Sequence, residues 1–182
     1  MLAAAGNALS PPETMPCPIV TVTSPHVLTC GDIRASCALG WSGIRANKRE
    51  GDGATPAGRF PLRRVLFRPD RLPSIETRLP SVPISKRDGW CTNPGDPAYN
   101  QQIRLPRAGA HEDLWRDDEL YDVIVVMGYN DSPVVPGKGS AIFLHIARPG
   151  MSRTDGCVAV ALDVLLKLVR RCDVNTVVEI QP

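Results

Sequence analysis

Apolar and polar positions alternate from Cys17 to Cys30, through IVTVT and VLTC with Ser24-Pro25 between them, and this two-residue period predicts a β-hairpin. A third strand is expected over Ser36–Gly40 and a fourth over Arg59–Phe67, which the turn Thr55-Pro56-Ala57-Gly58 leads into. YDVIVVM, from Tyr121 to Met127, is nearly continuous in apolar and β-branched residues, the pattern of a buried strand, and SAIFLH, from Ser140 to His145, reads as another. After Cys157 the period changes. Apolar residues at 162, 165, 166 and 169 lie on one helical face, with Lys167, Arg170 and Arg171 towards the C-terminal end. TVVEI then predicts a last strand, and His111–Trp115 one helical turn. The small, polar, Pro-rich residues 1–16 are expected to form a flexible tail, and 17–182 one domain with no repeat and no dividing linker.

Composition narrows this picture. Eighteen Pro, fifteen Gly and 5% aromatics describe a chain interrupted by turns, with about eight strand candidates against one convincing helix, so a mainly β fold is expected. A net charge of +2, with both signs interspersed, gives no field suited to nucleic acid or an anionic membrane. No apolar run reaches the roughly 18 residues of a transmembrane segment, and MLAAAGNALSPP lacks both the basic and the apolar parts of a signal peptide. The six cysteines form no C-x-x-C pair, so neither a metal site nor a metal cofactor is expected. Cys17, Cys30 and Cys37 fall on strands expected to be neighbours, which puts a disulfide between two of them within reach.

Two segments invite a chemical reading. EGDGATPAG looks like a phosphate-cradling loop, but it lacks a Gly-Lys-Ser/Thr ending and precedes a strand, which excludes a nucleotide site of that kind. FLHIARPGMSRTDGCVAVALDVLLKL places His145 at a strand end and Cys157 before a helix, across a short loop. Such a pair is either an activated thiol or two unrelated core residues. An imidazolium or a helix N-terminus would lower the thiol pKa, and the amides around Gly156 and Cys157 could form an oxyanion hole.

His145 followed by Thr154-Asp155-Gly156-Cys157 resembles the signature of the L,D-transpeptidase catalytic domain, also called the YkuD domain: a histidine, then Ser/Thr-x-Gly-Cys. ATPAGRFPL is similar to that family's Thr-Pro-x-Gly-x-Phe turn and strand, GSAIFLH to its strand leading to the histidine, and DGWC with DPAYNQQIRLP to a proteobacterial branch. The resemblance implies a YkuD-like sandwich or barrel of mixed strands with a few short helices. It also implies an enzyme of cell wall biogenesis and cell shape in the periplasm, exported by a signal outside this numbering. Its partners would be peptidoglycan stem peptides, a tetrapeptide donor and an amine acceptor, and it would need no cofactor. Cys157 would attack the carbonyl after the third-position diamino acid and release D-alanine, with His145 as base. The thioester would then yield a 3-3 or 1-3 crosslink, or be hydrolysed. Carbapenem-class β-lactams would acylate the same cysteine.

Two departures from the family pattern bear on the substrate groove. The connection from His145 to Thr154 is short, and Ala159 stands where an Arg or Asn often lies. Arg148 and Arg153 are therefore the expected partners of substrate carboxylates, because a guanidinium offers a planar fork. Trp90, Tyr99, Asn100, Tyr129 and Asn130, from turn-rich segments, are further candidates for the groove wall. A non-catalytic wall-binding module and a cytosolic thiol hydrolase stay open as alternatives.

Overall fold

The computed structural model describes residues 16–182, so all but the last residue of the expected N-terminal tail lies outside the described residues. The chain runs through β1 (Ile19–Thr23), β2 (Val27–Cys30), β3 (Ile33–Ser36), β4 (Ile44–Arg45), β5 (Thr55–Pro56), β6 (Gly58–Phe67), β7 (Ser81–Pro83) and β8 (Asp88–Cys91). It continues through β9 (Gln102–Arg104), β10 (His111–Asp113), β11 (Val123–Met127), β12 (Phe143–Ile146), a single 3-10 turn at Pro149–Met151, β13 (Val158–Val160), α1 (Leu162–Arg171) and β14 (Val177–Gln181). The fold is mainly β, with parallel and antiparallel pairs in one large sheet.

That sheet has the order β13-β12-β11-β6-β14-β1-β2-β3, with β7 beside β6. Its ten-residue β6 pairs with β14 over residues 58–61, with β7 over 65–67 and with β11 over 62–67. Just beyond β3, Ala38 exchanges hydrogen bonds with Ala159 of β13 at 2.7 and 2.9 Å, which joins the two ends of the sheet. Closure of this kind leaves fewer unpaired edge groups. Cys17 and Cys30 are disulfide-bonded, the pairing that spans the β1–β2 hairpin.

The continuous apolar run of β11 is explained by burial on both faces. Val123, Val125 and Met127 join a core with Val20, Val22, Leu28, Leu144 and Ile180, which α1 meets through Leu165, Leu168 and Val169. Ile124 and Val126 face a second core with Leu66, Trp90, Leu114, Tyr121 and Phe143. Side chains alternate across a strand, so β12 likewise sends Leu144 and Ile146 to the first core and Phe143 and His145 to the other side. A small sheet, β10-β8-β9, covers the second core. The helical turn expected at His111–Trp115 is therefore corrected. His111–Asp113 is a strand because Glu112 pairs with Trp90 across β8, and that ladder satisfies backbone groups that a single turn could not.

Candidate active site

Strand register brings His145 and Cys157 to one face of the sheet. β12 and β13 are parallel, with Leu144 opposite Val158 and His145 opposite Ala159. Cys157, immediately before β13, therefore falls on the same face as His145 and one diagonal step away, a spacing of about 7–8 Å between backbones. In the resting site each side chain is hydrogen-bonded to backbone groups and not to the other. The small Ala159 directly opposite His145 leaves the imidazole open towards the cleft.

The thiol is held on both sides by the segment before β12. Cys157 Sγ donates to the Ala141 carbonyl at 3.2 Å and accepts the Phe143 amide at 3.4 Å. The Cys157 carbonyl accepts the Thr154 hydroxyl at 2.7 Å and the Thr55 hydroxyl at 3.5 Å, and Thr55 also accepts the Gly40 amide at 2.8 Å. ATPAG is thus a clamp beneath the cysteine. Gly156 has φ 137°, and a Cβ there would stand 2.7 Å from the Ala54 carbonyl oxygen, so the approach requires glycine. Its amide donates to the Thr154 hydroxyl at 3.2 Å, which takes up one of the two amides expected to form an oxyanion hole.

His145 Nδ1 lies 2.8 Å from the carbonyl of Ile146. A proton on Nδ1 satisfies that carbonyl and leaves Nε2 as the basic nitrogen. The ring of Tyr121 packs edge-on against the imidazole at 5.3 Å. Burial, with the charges of Arg148 and Arg116, brings the His145 pKa down to about 4 against the opposing pull of the Ile146 carbonyl. Burial likewise raises the Cys157 thiol well above its ordinary value, and the carboxylate of Glu112 adds to that rise, while the Phe143 amide and Lys48 oppose it. The resting pair is a neutral thiol and a neutral imidazole. The expected lowering of the thiol pKa is corrected: Cys157 leads into β13, and α1 begins only at Leu162, so no helix N-terminus faces the sulfur.

Both residues open into a cleft of about 350 Å³. Glu112, Asp113 and Asp155 supply acidic groups to its wall, and Arg116 and Arg148 basic ones. Among the described residues no cluster of three or more His, Cys, Asp or Glu side chains could hold a metal ion.

Residues 23–180 match the model of the YkuD family, the L,D-transpeptidase catalytic domain. The chain belongs to that family. No curated protein matches it. Similar solved structures include an L,D-transpeptidase from Mycobacterium tuberculosis H37Rv, 11% identical with a TM-score of 0.43, and covering 90% of this chain and 57% of that one. L,D-transpeptidase 1 of the same organism is 15% identical with a TM-score of 0.40, and covers 90% of this chain and 58% of the other. L,D-transpeptidase 3 is 10% identical with a TM-score of 0.43, again over 90% of this chain and 60% of the other. The chain thus spans less than two thirds of the length of each of these three.

Within this L,D-transpeptidase domain the expected groove residues separate. Arg148 lines the cleft. Arg153 is exposed and donates to the Trp41 carbonyl at 3.1 Å, outside the cleft lining. Trp90, Tyr99, Asn100, Tyr129 and Asn130 form a scaffold behind the cysteine. Trp90 Nε1 donates to Asn100 Oδ1 at 3.0 Å, and the same oxygen accepts the Ala141 amide at 3.0 Å. Asn100 Nδ2 donates to the carbonyls of Tyr129 and Asn130 at 3.0 and 2.8 Å. The Tyr99 hydroxyl donates to Glu50 and accepts the Gly139 amide at 3.0 Å, while the Asn130 amide group ties Val135 to Gly139. Trp90, Asn100 and Tyr129 line a separate cleft, also of about 350 Å³.

Sequence reasoning missed Glu112, Arg116, Tyr121 and Asp155 as cleft residues. The signal available was HEDLWRDDELY, a cluster of charges ending at an aromatic residue, but its register against β8 decides which of those charges faces the cysteine.

Proposed function

We propose that this domain is a cysteine acyltransferase that acts on peptidoglycan stem peptides. The observation that carries the reading is the placing of His145 and Cys157 one diagonal step apart on neighbouring parallel strands beside one cleft. The family match supports the substrate class.

In the first half-reaction Sγ of Cys157 attacks the carbonyl after the third-position diamino acid of a tetrapeptide, while His145 Nε2 takes the thiol proton. The C–N bond to the terminal D-alanine breaks, the imidazolium protonates the departing amine, and the acyl group stays on sulfur as a thioester. An acceptor amine then attacks the thioester, the C–S bond breaks, and a proton returns to sulfur by way of His145. The product is a 3-3 or 1-3 crosslink. With water as acceptor the same intermediate yields a shortened stem.

The electrostatics constrain this order of events. With its pKa brought down to about 4, His145 is unprotonated at neutral pH, so Nε2 can accept a proton, but in the empty site it is a weak base. The buried thiol resists ionisation in the empty site, so its proton leaves as the carbon–sulfur bond forms, an interaction gained only in the transition state. That Arg148 lines the cleft supports it as the partner of a stem-peptide carboxylate.

A periplasmic location agrees with the Cys17–Cys30 disulfide, since such bonds persist in oxidising compartments. Among the described residues no helix is long and apolar enough to cross a membrane. Incubation with a carbapenem followed by peptide mapping tests the activated thiol. An adduct confined to Cys157 is expected, and an unmodified Cys157 would count against it.

A further inference from the structure

The cleft holds a carboxylate that works against its own nucleophile. Glu112 sits on β10 opposite Trp90, half-buried, and its Oε2 accepts the hydroxyl of Tyr121 at 2.5 Å. Tyr121 is in turn fixed edge-on against Phe143 at 6.0 Å and against His145 at 5.3 Å. Among the described residues Oε1 of Glu112 has no hydrogen-bond partner and no cation within ion-pair distance, because Arg116 is engaged with Asp118 at 2.7 Å. One oxygen is therefore anchored and the other is free in the wall of the cleft that Cys157 also lines.

Placed there, the charge opposes thiolate formation, since a nearby like charge disfavours the ionised thiol. That cost arises whenever the sulfur carries negative charge, as the C–S bond forms and again as it breaks. Once the sulfur is acylated it carries no charge, and the next reactant arrives as an ammonium ion.

Resting on the acyltransferase reading above, we infer that Glu112 is the acceptor-binding residue, and that it steers the thioester towards an amine and away from water. Asp113 and Asp155 also reach the cleft, but both are exposed and neither is held by a buried partner as Glu112 is by Tyr121. Burial raises the Glu112 carboxyl above its ordinary value, and an ammonium docked on Oε1 favours the ionised form at the moment it is needed. The nitrogen then attacks the thioester carbonyl and the C–S bond breaks. Of the two protons the nitrogen loses, one reaches the departing sulfur through His145 and the other passes to solvent.

The Glu112→Gln variant tests this, because an amide oxygen still accepts the Tyr121 hydroxyl while the charge is removed. Wild type and variant are incubated with disaccharide-tetrapeptide as both donor and acceptor. Acylation is followed by intact mass, and the ratio of dimer to shortened monomer by chromatography. The variant is expected to acylate faster, yet to lose about tenfold in the dimer ratio, the scale of one charge-assisted hydrogen bond. Raising the tetrapeptide concentration should recover part of that loss, and Glu112→Asp should retain more dimer than Glu112→Gln. An unchanged ratio, or a parallel fall in acylation and ratio as from a damaged fold, would overturn the assignment. If wild type itself forms no acyl-enzyme, the acyltransferase reading fails first, and the role of Glu112 falls with it.

Discussion

The Ala141 carbonyl accepts the Cys157 thiol at 3.2 Å, and Ala141 itself is held at φ 53° by the Asn100 side chain, which accepts its amide at 3.0 Å. A non-glycine residue in the left-handed region carries strain that its surroundings must hold in place. Asn100 provides that hold, and it takes the indole N–H of Trp90 on the same oxygen. The position of the thiol thus depends on a side chain that never enters its cleft.

Asn100→Ala should accordingly affect both stability and chemistry. It leaves the Trp90 indole, the Ala141 amide and two carbonyls without partners, which costs about 2–4 kcal/mol if roughly 1–3 kcal/mol applies to each unsatisfied buried group and some gain water. The urea midpoint should fall, and carbapenem acylation should slow even where the variant is fully folded. Wild-type acylation in a folded Asn100→Ala protein would mean that Ala141 needs no such anchor.

The pH dependence follows from His145. Its folded pKa, lowered from 6.5 to about 4, means that between those values the unfolded chain binds a proton that the native protein refuses. Stability should therefore rise with pH across that window and be lost as pH falls from 6.5 to about 4, by up to about 3 kcal/mol from this group. His145→Gln should flatten that part of the stability curve in denaturant titrations at a series of pH values. A wild-type acylation rate that drops on acidification with a midpoint near 6.5 would contradict a neutral, buried base.

Gly156 admits no side chain. Gly156→Ala puts a Cβ 2.7 Å from the Ala54 carbonyl oxygen at φ 137°, and backbone strain of this kind costs about 1–3 kcal/mol. Relief can come only from moving the Thr154–Cys157 turn, so acylation should fall by more than tenfold along with the melting temperature. A variant of normal melting temperature and normal acylation rate would show that the turn tolerates the displacement.

Most strands with a clear period were legible from the chain, as was α1, though the third strand lies at Ile33–Ser36 and only isolated bridges follow it at Ala38 and Gly40. The reading of Tyr121–Met127 as a buried strand holds because β11 is covered on both faces, a condition that leaves a continuous apolar run. The β10-β8-β9 sheet was not legible. Its three- and four-residue strands lie among turn formers, and their pairing depends on contacts distant in sequence. The same limit explains the groove candidates. A Trp and an Asn in a polar loop look like a binding wall; in the structure Trp90 is packed edge-on against Phe143 at 5.0 Å, Asn100 holds backbone groups, and the cleft that both line is separate from that of Cys157. Glu112 was hidden for the converse reason, since one acidic residue among several carries no mark of the face it will occupy.

The most direct measurement is mass spectrometry of disaccharide-tetrapeptide incubated with the protein, beside a Cys157→Ala control. The expected result is a dimer that has lost one terminal D-alanine per crosslink, formed by wild type alone, with fragmentation locating a 3-3 or 1-3 bond. Equal product in the Cys157→Ala sample, or unchanged tetrapeptide in both, would contradict a thioester at Cys157 as the centre of this chemistry.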